Sequence, residues 1–272
     1  DAVTGIELDR NDWVAQCGFD DVHAHNCEHL PEAASAPAAP NDYNVLPWPV
    51  ESPIHGSRAL RNAPWNDGGI ASPFGWHDTD GNAGPEYTDT RGNNVFAQED
   101  ADNNNTGGAR PDGGATLDFD FPLDLTQAPS TYLDAATTNL FYWNNLIHDV
   151  WYGYGFDDAS GNFQQNNYGR GGSGNDAVNA DAQDGSGTNN ANFGTPPDGS
   201  APRMQMYRWT YSTPNRDSDL DNGIIAHEYG HGISNRLVGG PANTSCLGNS
   251  EQMGEGWSDY FGLIMTIKAG DL

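Results

Sequence analysis

The clearest hydrophobic pattern in the chain covers residues 130–152, STYLDAATTNLFYWNNLIHDVWY. Large apolar side chains recur there at helical spacings, which predicts a helix with one apolar stripe. Ser130 or Thr131 is the expected cap at its start. Residues 221–237 and 254–268 are also predicted to be helical. The stripe of the first helix consists of Leu133, Leu140, Trp143, Ile147 and Trp151.

Short β-type runs dominate the rest of the chain. Residues 43–125 place such runs between clusters of Pro, Gly and Asn, which predicts a mostly β, loop-heavy region. Two short strands are predicted within residues 1–16, and another at 203–211. Residues 153–202 are rich in Gly, Asn, Asp and Ser, which predicts long loops with a strand-like fragment at 189–193. The predicted fold class is α+β, with a β-rich, loop-heavy N-terminal part packed on long helices.

A change of composition near Pro40 predicts a domain boundary. Residues 17–40 begin with crowded Cys, His and acidic residues and end as an Ala/Pro-rich linker. We therefore divide the chain into an N-terminal segment, residues 1–42, and a main domain, residues 43–272. The sequence has neither a starting Met nor a signal-peptide core, so we expect it to begin within a longer precursor.

The charge of the chain argues against some classes of partner. The formal net charge is −27, and Lys268 is the single lysine among 11 basic residues. Such a chain is repelled by nucleic acid and by anionic membranes. No apolar run reaches the roughly 18 to 20 residues that a membrane span needs. Two explanations of the acidic surface stay open, namely solubility at high salt and oxygen ligands for calcium.

One loop resembles the beginning of a calcium site. In HDTDGNAG, residues 77–84, Asp78 and Asp80 precede Gly81, as in the first half of an EF-hand loop. The later ligands of an EF-hand are absent, so calcium binding and an ordinary loop both stay open. A second open choice concerns His148 on the first predicted helix, which is either a packed, hydrogen-bonded histidine or a metal ligand.

The stretch GIIAHEYGHGISNRL, residues 223–237, contains two histidines four positions apart. On a helix such residues are separated by about 40° and about 6 Å of rise, so His227 and His231 can bind one metal ion. Glu228 is rotated by roughly 100° from His227, which keeps it off the metal but close to a water molecule in the open position. The spacing indicates a hydrolytic zinc site.

A zinc site of this kind needs a third protein ligand. In NSEQMGEGWSDYFGLIM, residues 249–265, Glu255 begins a predicted helical segment 24 residues after His231. Asp259 follows Glu255 at i+4 on the same helix face. Glu255 is the expected third ligand, and Asp259 is the expected acceptor for the second ring N–H of a ligating histidine.

The run IAHEYGHGISNRLVGGPAN, followed by EQMGEGWSDYF, closely resembles the fungalysin family of secreted zinc metallopeptidases. The resemblance extends upstream through LPWPVESPIHG, TRGNNV, NLFYWNNLIHDVWYGYGF, GNFQQNN, NNANFGTPPDG and MQMY, so it covers about residues 45–272. Fungalysins are relatives of thermolysin that use a glutamate as the third zinc ligand. The resemblance implies a secreted zinc endopeptidase, with a thermolysin-like zinc helix, that acts on proteins or peptides.

The resemblance also implies a role for each site residue. His227, His231 and Glu255 would hold Zn²⁺, Glu228 would be the general base, and Asp259 would orient a ligand. These roles agree with those expected from the spacing. Zinc would activate a water molecule, and Glu228 would take its proton and pass it to the leaving amine.

Two further segments gain a meaning from the resemblance. NNANF matches an edge strand that binds extended substrates in thermolysin relatives, which makes Asn190 and Ala191 candidates for substrate binding, with a plain structural loop as the alternative. DAVTGIELDRN resembles the closing strands of a thermolysin-type propeptide. Residues 1–42 are therefore interpreted as propeptide tail and linker, and the enzyme's own propeptide as a partner.

The resemblance further implies a C-terminal helical domain that supplies a histidine for the oxyanion. The sequence stops at IKAGDL without a substitute for that histidine. We therefore expect this 272-residue chain to fold incompletely or to be weakly active alone.

Three cysteines leave the redox chemistry open. Cys17 and Cys27 can close a short loop, which leaves Cys246 without a partner in this chain. The alternatives to that disulfide are metal binding by the N-terminal cluster and latency, with Cys17 in the open position of the zinc ion. The histidines of the cluster are His23, His25 and His29.

Two other functions are alternatives to a secreted endopeptidase. A zinc exopeptidase would need a charged group that closes the cleft, and the sequence shows no motif for one. A calcium-stabilised extracellular binding module with a vestigial zinc site would have no need of Glu228 between the two histidines.

Overall fold

The computed structural model describes residues 41–248, 250 and 253–271 of the chain. The strand pair predicted at 1–16 and the cysteine and histidine cluster after it lie outside the described residues. The three helices predicted in the remainder are confirmed, with ends that shift by a few residues at most. They are α1 (Leu133–Gly153), α2 (Asn222–Val238) and α3 (Met253–Thr266).

The predicted cap of the first helix is wrong. Ser130 and Thr131 lie in a 3-10 turn, and α1 begins after Tyr132 without a side-chain cap. The Thr131 hydroxyl instead donates a hydrogen bond to the carbonyl of Ala128 at 2.7 Å, at the start of the 3-10 turn.

Eight strands form two sheets in the part of the chain that the structure describes. They are β1 (Asp42–Val45), β2 (Ala59–Asn62), β3 (Val95–Glu99), β4 (Asp118–Phe119), β5 (Val178–Thr188), β6 (Ala191–Gly194), β7 (Arg203–Trp209) and β8 (Arg216–Asp217). In the first sheet β1 pairs antiparallel with β2 and parallel with β4. In the second, β3, β5 and β7 run parallel, and β7 also pairs antiparallel with β6 and β8. This mixture of helices and sheets is consistent with the predicted α+β class.

The longest of these strands, β5, falls where long loops were predicted, so that part of the prediction is wrong. One face of β5 carries Val178, Ala180 and Ala182, which are fully buried in the core. The other face buries Asp181, whose charge is met by an ion pair with Arg203 on the neighbouring strand. Small and acidic residues have low β-propensity, but paired carboxylates on a strand with two neighbours can be buried.

The core on one side of α1 is aromatic. The His77 ring lies between Phe119 and Phe141, with ring centroids 5.4 and 4.9 Å away. Tyr43 stacks on Phe119 at 5.1 Å. Since Tyr43 and Phe119 are neighbours on β1 and β4, and Phe141 is on α1, this stack fixes the first sheet against the helix.

Two buried side chains attach the segment after β1 to α1. The Trp143 indole donates to the carbonyl of Leu46 at 2.7 Å, and the amide oxygen of Asn139 accepts from the Leu46 N–H at 3.0 Å. The Asn139 amide nitrogen also donates to the side chain of Asn222, the first residue of α2, at 2.8 Å. Asn139 on α1 therefore connects the segment after β1 to the start of α2.

Side-chain hydrogen bonds and an ion pair hold the two ends of α2. At the start, Asp221 caps the helix by accepting from the Ile224 N–H at 3.2 Å. At the end, the fully buried Arg236 pairs with Asp176 at 3.1 Å and donates to the carbonyl of Gly161 at 2.9 Å. Removing one partner of such a pair leaves a buried charge unpaired, so the position of α2 is strongly specified. Among the described residues, no helix is long and apolar enough to cross a membrane.

Candidate metal centre

Three side chains from α2 and α3 converge on one point. The Nε2 atoms of His227 and His231 lie 3.1 Å apart. Glu255 Oε2 lies 3.2 Å from His227 Nε2 and 3.4 Å from His231 Nε2. The helical spacing of the histidines provides one half of the group, and the packing of α3 on α2 provides the other. The structure therefore brings together the three residues that the sequence predicted as ligands.

The protonation of the two histidines fits a cation between these atoms. Asp259 Oδ1 lies 3.0 Å from His227 Nδ1 and can accept its proton, and Nε2, which lies towards Glu255, is the nitrogen that would bind a metal ion. Burial lowers the pKa of His231, although the Glu255 carboxylate opposes this effect, and a lowered pKa favours the neutral ring that a metal ligand needs. Two lone pairs and a carboxylate oxygen at this spacing repel one another unless a cation lies among them. Two imidazoles and one carboxylate are a donor set that suits Zn²⁺.

Glu228 lies beside this group without belonging to it. The residue is 6% exposed, and its Oε2 has no hydrogen-bond partner among the residues that the structure describes. Burial, and secondarily the Glu255 carboxylate, raise the pKa of Glu228 to about 8. A carboxylate in such surroundings accepts a proton readily, which is the property that a general base needs.

The close approach of α2 and α3 depends on a glycine that the sequence analysis missed. A Cβ atom on Gly230 would lie 2.6 Å from Phe261 Cδ2 and 3.2 Å from Ser258 Cα. Two residues further along α2, a Cβ on Gly232 would lie 2.7 Å from the ring of Phe163. Glycine within a helix costs roughly 1 kcal/mol relative to alanine, so its presence in HEYGHG was an available signal of close packing.

The strand predicted at 189–193 is found as β6. The two predicted substrate-binding residues therefore lie at or directly before the start of a strand. Ala191 is 7% exposed and pairs with Met206 of β7, while Asn190 precedes the strand and is exposed. Phe193 packs near Tyr229 of α2, with ring centroids 6.1 Å apart. In the described part of the chain β6 pairs only with β7, so its other edge has no strand partner. The role of Asn190 and Ala191 stays a prediction.

His148 is a packed residue in the structure. Its Nδ1 lies 2.9 Å from Asp149 Oδ1, and its Nε2 accepts from the Asn162 side-chain N–H at 3.2 Å. Both ring nitrogens are therefore used within the protein, which supports the first of the two alternatives. Cys246 is exposed, and Cys17 and Cys27 lie outside the residues that the structure describes.

Comparisons with known proteins identify relatives of the chain. Over 238 residues the chain is 49% identical to Extracellular metalloproteinase 2 of Trichophyton rubrum, with 85% of this chain and 36% of that protein covered. It is 50% identical over 238 residues to Extracellular metalloproteinase MEP of Fusarium vanettenii, with 84% of this chain and 36% of that protein covered. The chain thus spans about a third of the length of these relatives. The family model described as Fungalysin metallopeptidase (M36) matches residues 42–272. The chain belongs to the fungalysin metallopeptidase family.

Proposed function

We propose that this chain forms the zinc-binding part of a secreted endopeptidase that hydrolyses internal peptide bonds of proteins. The observation that carries the proposal is the convergence of His227, His231 and Glu255, with the buried Glu228 beside them. The names of the relatives, extracellular metalloproteinases, support both secretion and the reaction class. Since the chain spans only 36% of those proteins, the activity is proposed for the longer protein of which such a chain would be part.

Zinc, when bound, supplies a Lewis acid that acidifies water and polarises the carbonyl of the scissile bond. Glu228 supplies the acceptor for the proton of the attacking water. Its Oε2 is buried without a hydrogen-bond partner among the described residues, and burial and the Glu255 carboxylate both raise its proton affinity. Glu228 then returns the proton to the amine that leaves.

Asp259 acts through His227. By accepting the Nδ1 proton at 3.0 Å, it holds the ring with Nε2 towards the centre and increases the basicity of that nitrogen. Because Asp259 and Glu255 are both on α3, the helix that brings the third ligand also orients the first.

The edge of β6 that pairs with none of the described strands is the proposed place for an extended substrate. A peptide that adds to this edge gains main-chain hydrogen bonds, with Asn190 and Ala191 as the first residues that it meets. The packing of Phe193 against Tyr229 keeps β6 next to the helix that carries Glu228.

The same proposal interprets residues 1–42 as propeptide tail and linker. It includes the propeptide as a partner of the enzyme. The domain boundary at residue 43 also stays a prediction. So does the further helical domain, which would supply a histidine for the oxyanion.

The test compares zinc content and casein hydrolysis for the wild type and Glu228→Gln. Both are expected to bind one zinc ion, because Glu228 is not among the three converging ligands. Cleavage is expected to fall by roughly 10²–10⁴-fold in the variant, since the loss of a general base has this magnitude. Asp134→Asn, which removes the charge of an exposed residue on α1, is the matched control and should cleave like the wild type.

Equal cleavage by the wild type and Glu228→Gln would refute the assigned base. Zinc binding without cleavage by any variant of this chain would move the test to the longer protein, where the same substitution is expected to abolish cleavage. Absence of stoichiometric zinc in the wild type would refute the proposal.

A further inference from the structure

A second group of possible metal ligands lies in the loop that follows the buried His77. Asp78, Asp80 and Glu86 each place one carboxylate oxygen within 4.8 Å of the others. We call these three residues the Asp78 cluster. The sequence pattern drew attention to the first two residues only, and Glu86 joins them because the loop turns back on itself, with Glu86 N–H donating to the carbonyl of His77 at 3.1 Å.

The loop uses one oxygen of each carboxylate for its own hydrogen bonds. Asp78 Oδ1 accepts from the Gly81 N–H and from the Tyr168 hydroxyl, both at 3.0 Å. Asp80 Oδ1 accepts from the N–H two residues further on at 2.7 Å. Glu86 Oε2 accepts from the N–H and the hydroxyl of the residue after Asp78. The second oxygen of each group is left for another partner.

One of these remaining oxygens is buried without a partner. Asp78 is 1% exposed, and its Oδ2 has no hydrogen-bond donor among the residues described. Burial, and secondarily the charges of Glu86 and Asp80, raise the pKa of Asp78 to about 6, although hydrogen bonds from Tyr168 and Gly81 lower it. A buried carboxylate oxygen without a donor is unfavourable, and two further carboxylates beside it make it more so. A positive charge would stabilise this arrangement, and the described side chains do not supply one.

A second group of three carboxylates in the described part of the chain differs from the Asp78 cluster. Asp100, Asp181 and Asp184 also place oxygens within 4.8 Å of one another, and all three are buried. Their oxygens, however, accept hydrogen bonds from backbone N–H and side-chain amide or hydroxyl groups, and Asp181 pairs with Arg203. The protein satisfies that group itself, so we infer no ion there.

We propose that the Asp78 cluster binds one calcium ion, with Asp78 Oδ2 as its buried ligand and the carboxylates of Asp80 and Glu86 as the others. A site with oxygen donors only, three negative charges and two exposed carboxylates suits a hard cation that keeps water among its ligands. It contains no imidazole or thiolate, so it does not compete for zinc. The inference does not depend on the proposed peptidase activity.

The ion would join two segments that are far apart in sequence. The loop already contacts residues 166–168, because the Asn166 side chain donates to the carbonyl of Thr79 at 3.1 Å and the Tyr168 hydroxyl donates to Asp78. A cation on Asp78 would remove the repulsion among the three carboxylates and keep the loop in this position. The expected consequence is a higher melting temperature in the presence of calcium.

The test uses the full chain in the Glu228→Gln background, loaded with zinc, so that self-digestion does not affect the result. Binding is followed by terbium luminescence excited through tryptophan, because Trp76 lies two residues before Asp78, and by displacement of terbium with calcium. One saturable site is expected, with a calcium dissociation constant at or below about 10⁻³ M, the weak end of the range for extracellular calcium modules. Calcium should also raise the melting temperature.

Two variants locate the ion. Asp80→Asn and Glu86→Gln remove exposed carboxylates without disturbing the core, and each is expected to weaken terbium and calcium binding by about tenfold or more, since affinity follows the number of charged ligands. Asp102→Asn, an exposed acid in another loop, and Asp184→Asn, in the group that the protein satisfies itself, are expected to bind like the parent.

Absence of saturable binding would overturn the proposal, and so would binding that survives Asp80→Asn and Glu86→Gln unchanged. Loss of binding in Asp184→Asn alone would place the ion at the other group and would also refute it. The peptidase proposal is judged by cleavage and this one by terbium and calcium binding, so the failure of one is distinguishable from the failure of the other.

Discussion

His227 Nδ1 on α2 lies 3.0 Å from Asp259 Oδ1 on α3, on the side of the ring opposite to the nitrogen that faces Glu255. One hydrogen bond therefore joins the two helices of the candidate metal centre and favours the tautomer of His227 that leaves Nε2 for a metal ion. The Asp259 side chain is 70% exposed, so the bond contributes little to folding stability in solution. Its expected contribution is to metal affinity.

We expect Asp259→Ala to bind zinc roughly 10–100-fold more weakly, which is the usual effect of removing a partner behind a ligating histidine. The measurement is competition with a chelator of known zinc affinity, together with the free energy of unfolding of the zinc-free protein. Asp134→Ala, an exposed acid on α1, controls for the change in net charge. A variant that binds zinc as the wild type does would contradict the orienting role.

The contact of Gly230 with α3 makes a second prediction. An alanine there would place its Cβ 2.6 Å from Phe261 Cδ2 and 3.2 Å from Ser258 Cα. The Phe261 ring can move, but the Ser258 backbone cannot move without shifting α3 and, with it, Glu255. Overpacking of this kind costs about 1–3 kcal/mol. We expect Gly230→Ala to be less stable in urea unfolding and to bind zinc more weakly.

Gly256→Ala is the matched control for this substitution. Gly256 also lies in a helix of the metal centre, and a Cβ there would meet nothing within 4 Å. Its replacement is expected to stabilise the protein by about 0.5–1 kcal/mol, because alanine loses less backbone entropy in a helix. If Gly230→Ala and Gly256→Ala had the same stability, close packing of the two helices would not be the reason for Gly230.

Much of the candidate metal centre could be predicted from the sequence because its signals are local. His227 and His231 are one helical turn apart, and Glu255 and Asp259 repeat that spacing, so each pair identifies itself without knowledge of the fold. The helical spacing of residues likewise predicted α1, α2 and α3. Only the distance between the two pairs required the tertiary structure.

The parts that were missed depend on contacts between distant segments. β5 was interpreted as loop because the partner that permits its buried Asp181, Arg203, lies on another strand. Glu86 was not associated with Asp78, since a chain reversal rather than a regular spacing brings them together. The sequence pattern also did not indicate that His77 is buried among aromatic rings. The charge of the ring depends on this loss of solvation, which no local pattern reveals.

His77 makes a prediction about acid stability. Its ring is 2% exposed, its Nδ1–H donates to the carbonyl of Arg91 at 2.9 Å, and its Nε2 accepts from the Tyr43 hydroxyl at 2.7 Å. Burial lowers the pKa of His77 to about 4, although the Arg91 carbonyl and the charge of Asp89 oppose this effect. The folded protein therefore holds the ring neutral at pH values where the unfolded chain, with a pKa near 6.5, binds a proton.

The stability that follows from the neutral His77 is fully present above pH 6.5 and is lost as the pH falls towards 4, because over that window the unfolded state binds more protons. A shift of this size corresponds to about 3 kcal/mol. His77→Gln keeps a donor and an acceptor but does not titrate. We expect it to be less stable than the wild type at pH 7, through lost ring packing, and we expect this difference to shrink by about 3 kcal/mol between pH 7 and pH 4. Urea unfolding of both proteins across that range measures the effect, and a difference independent of pH would show that His77 is not held neutral by burial.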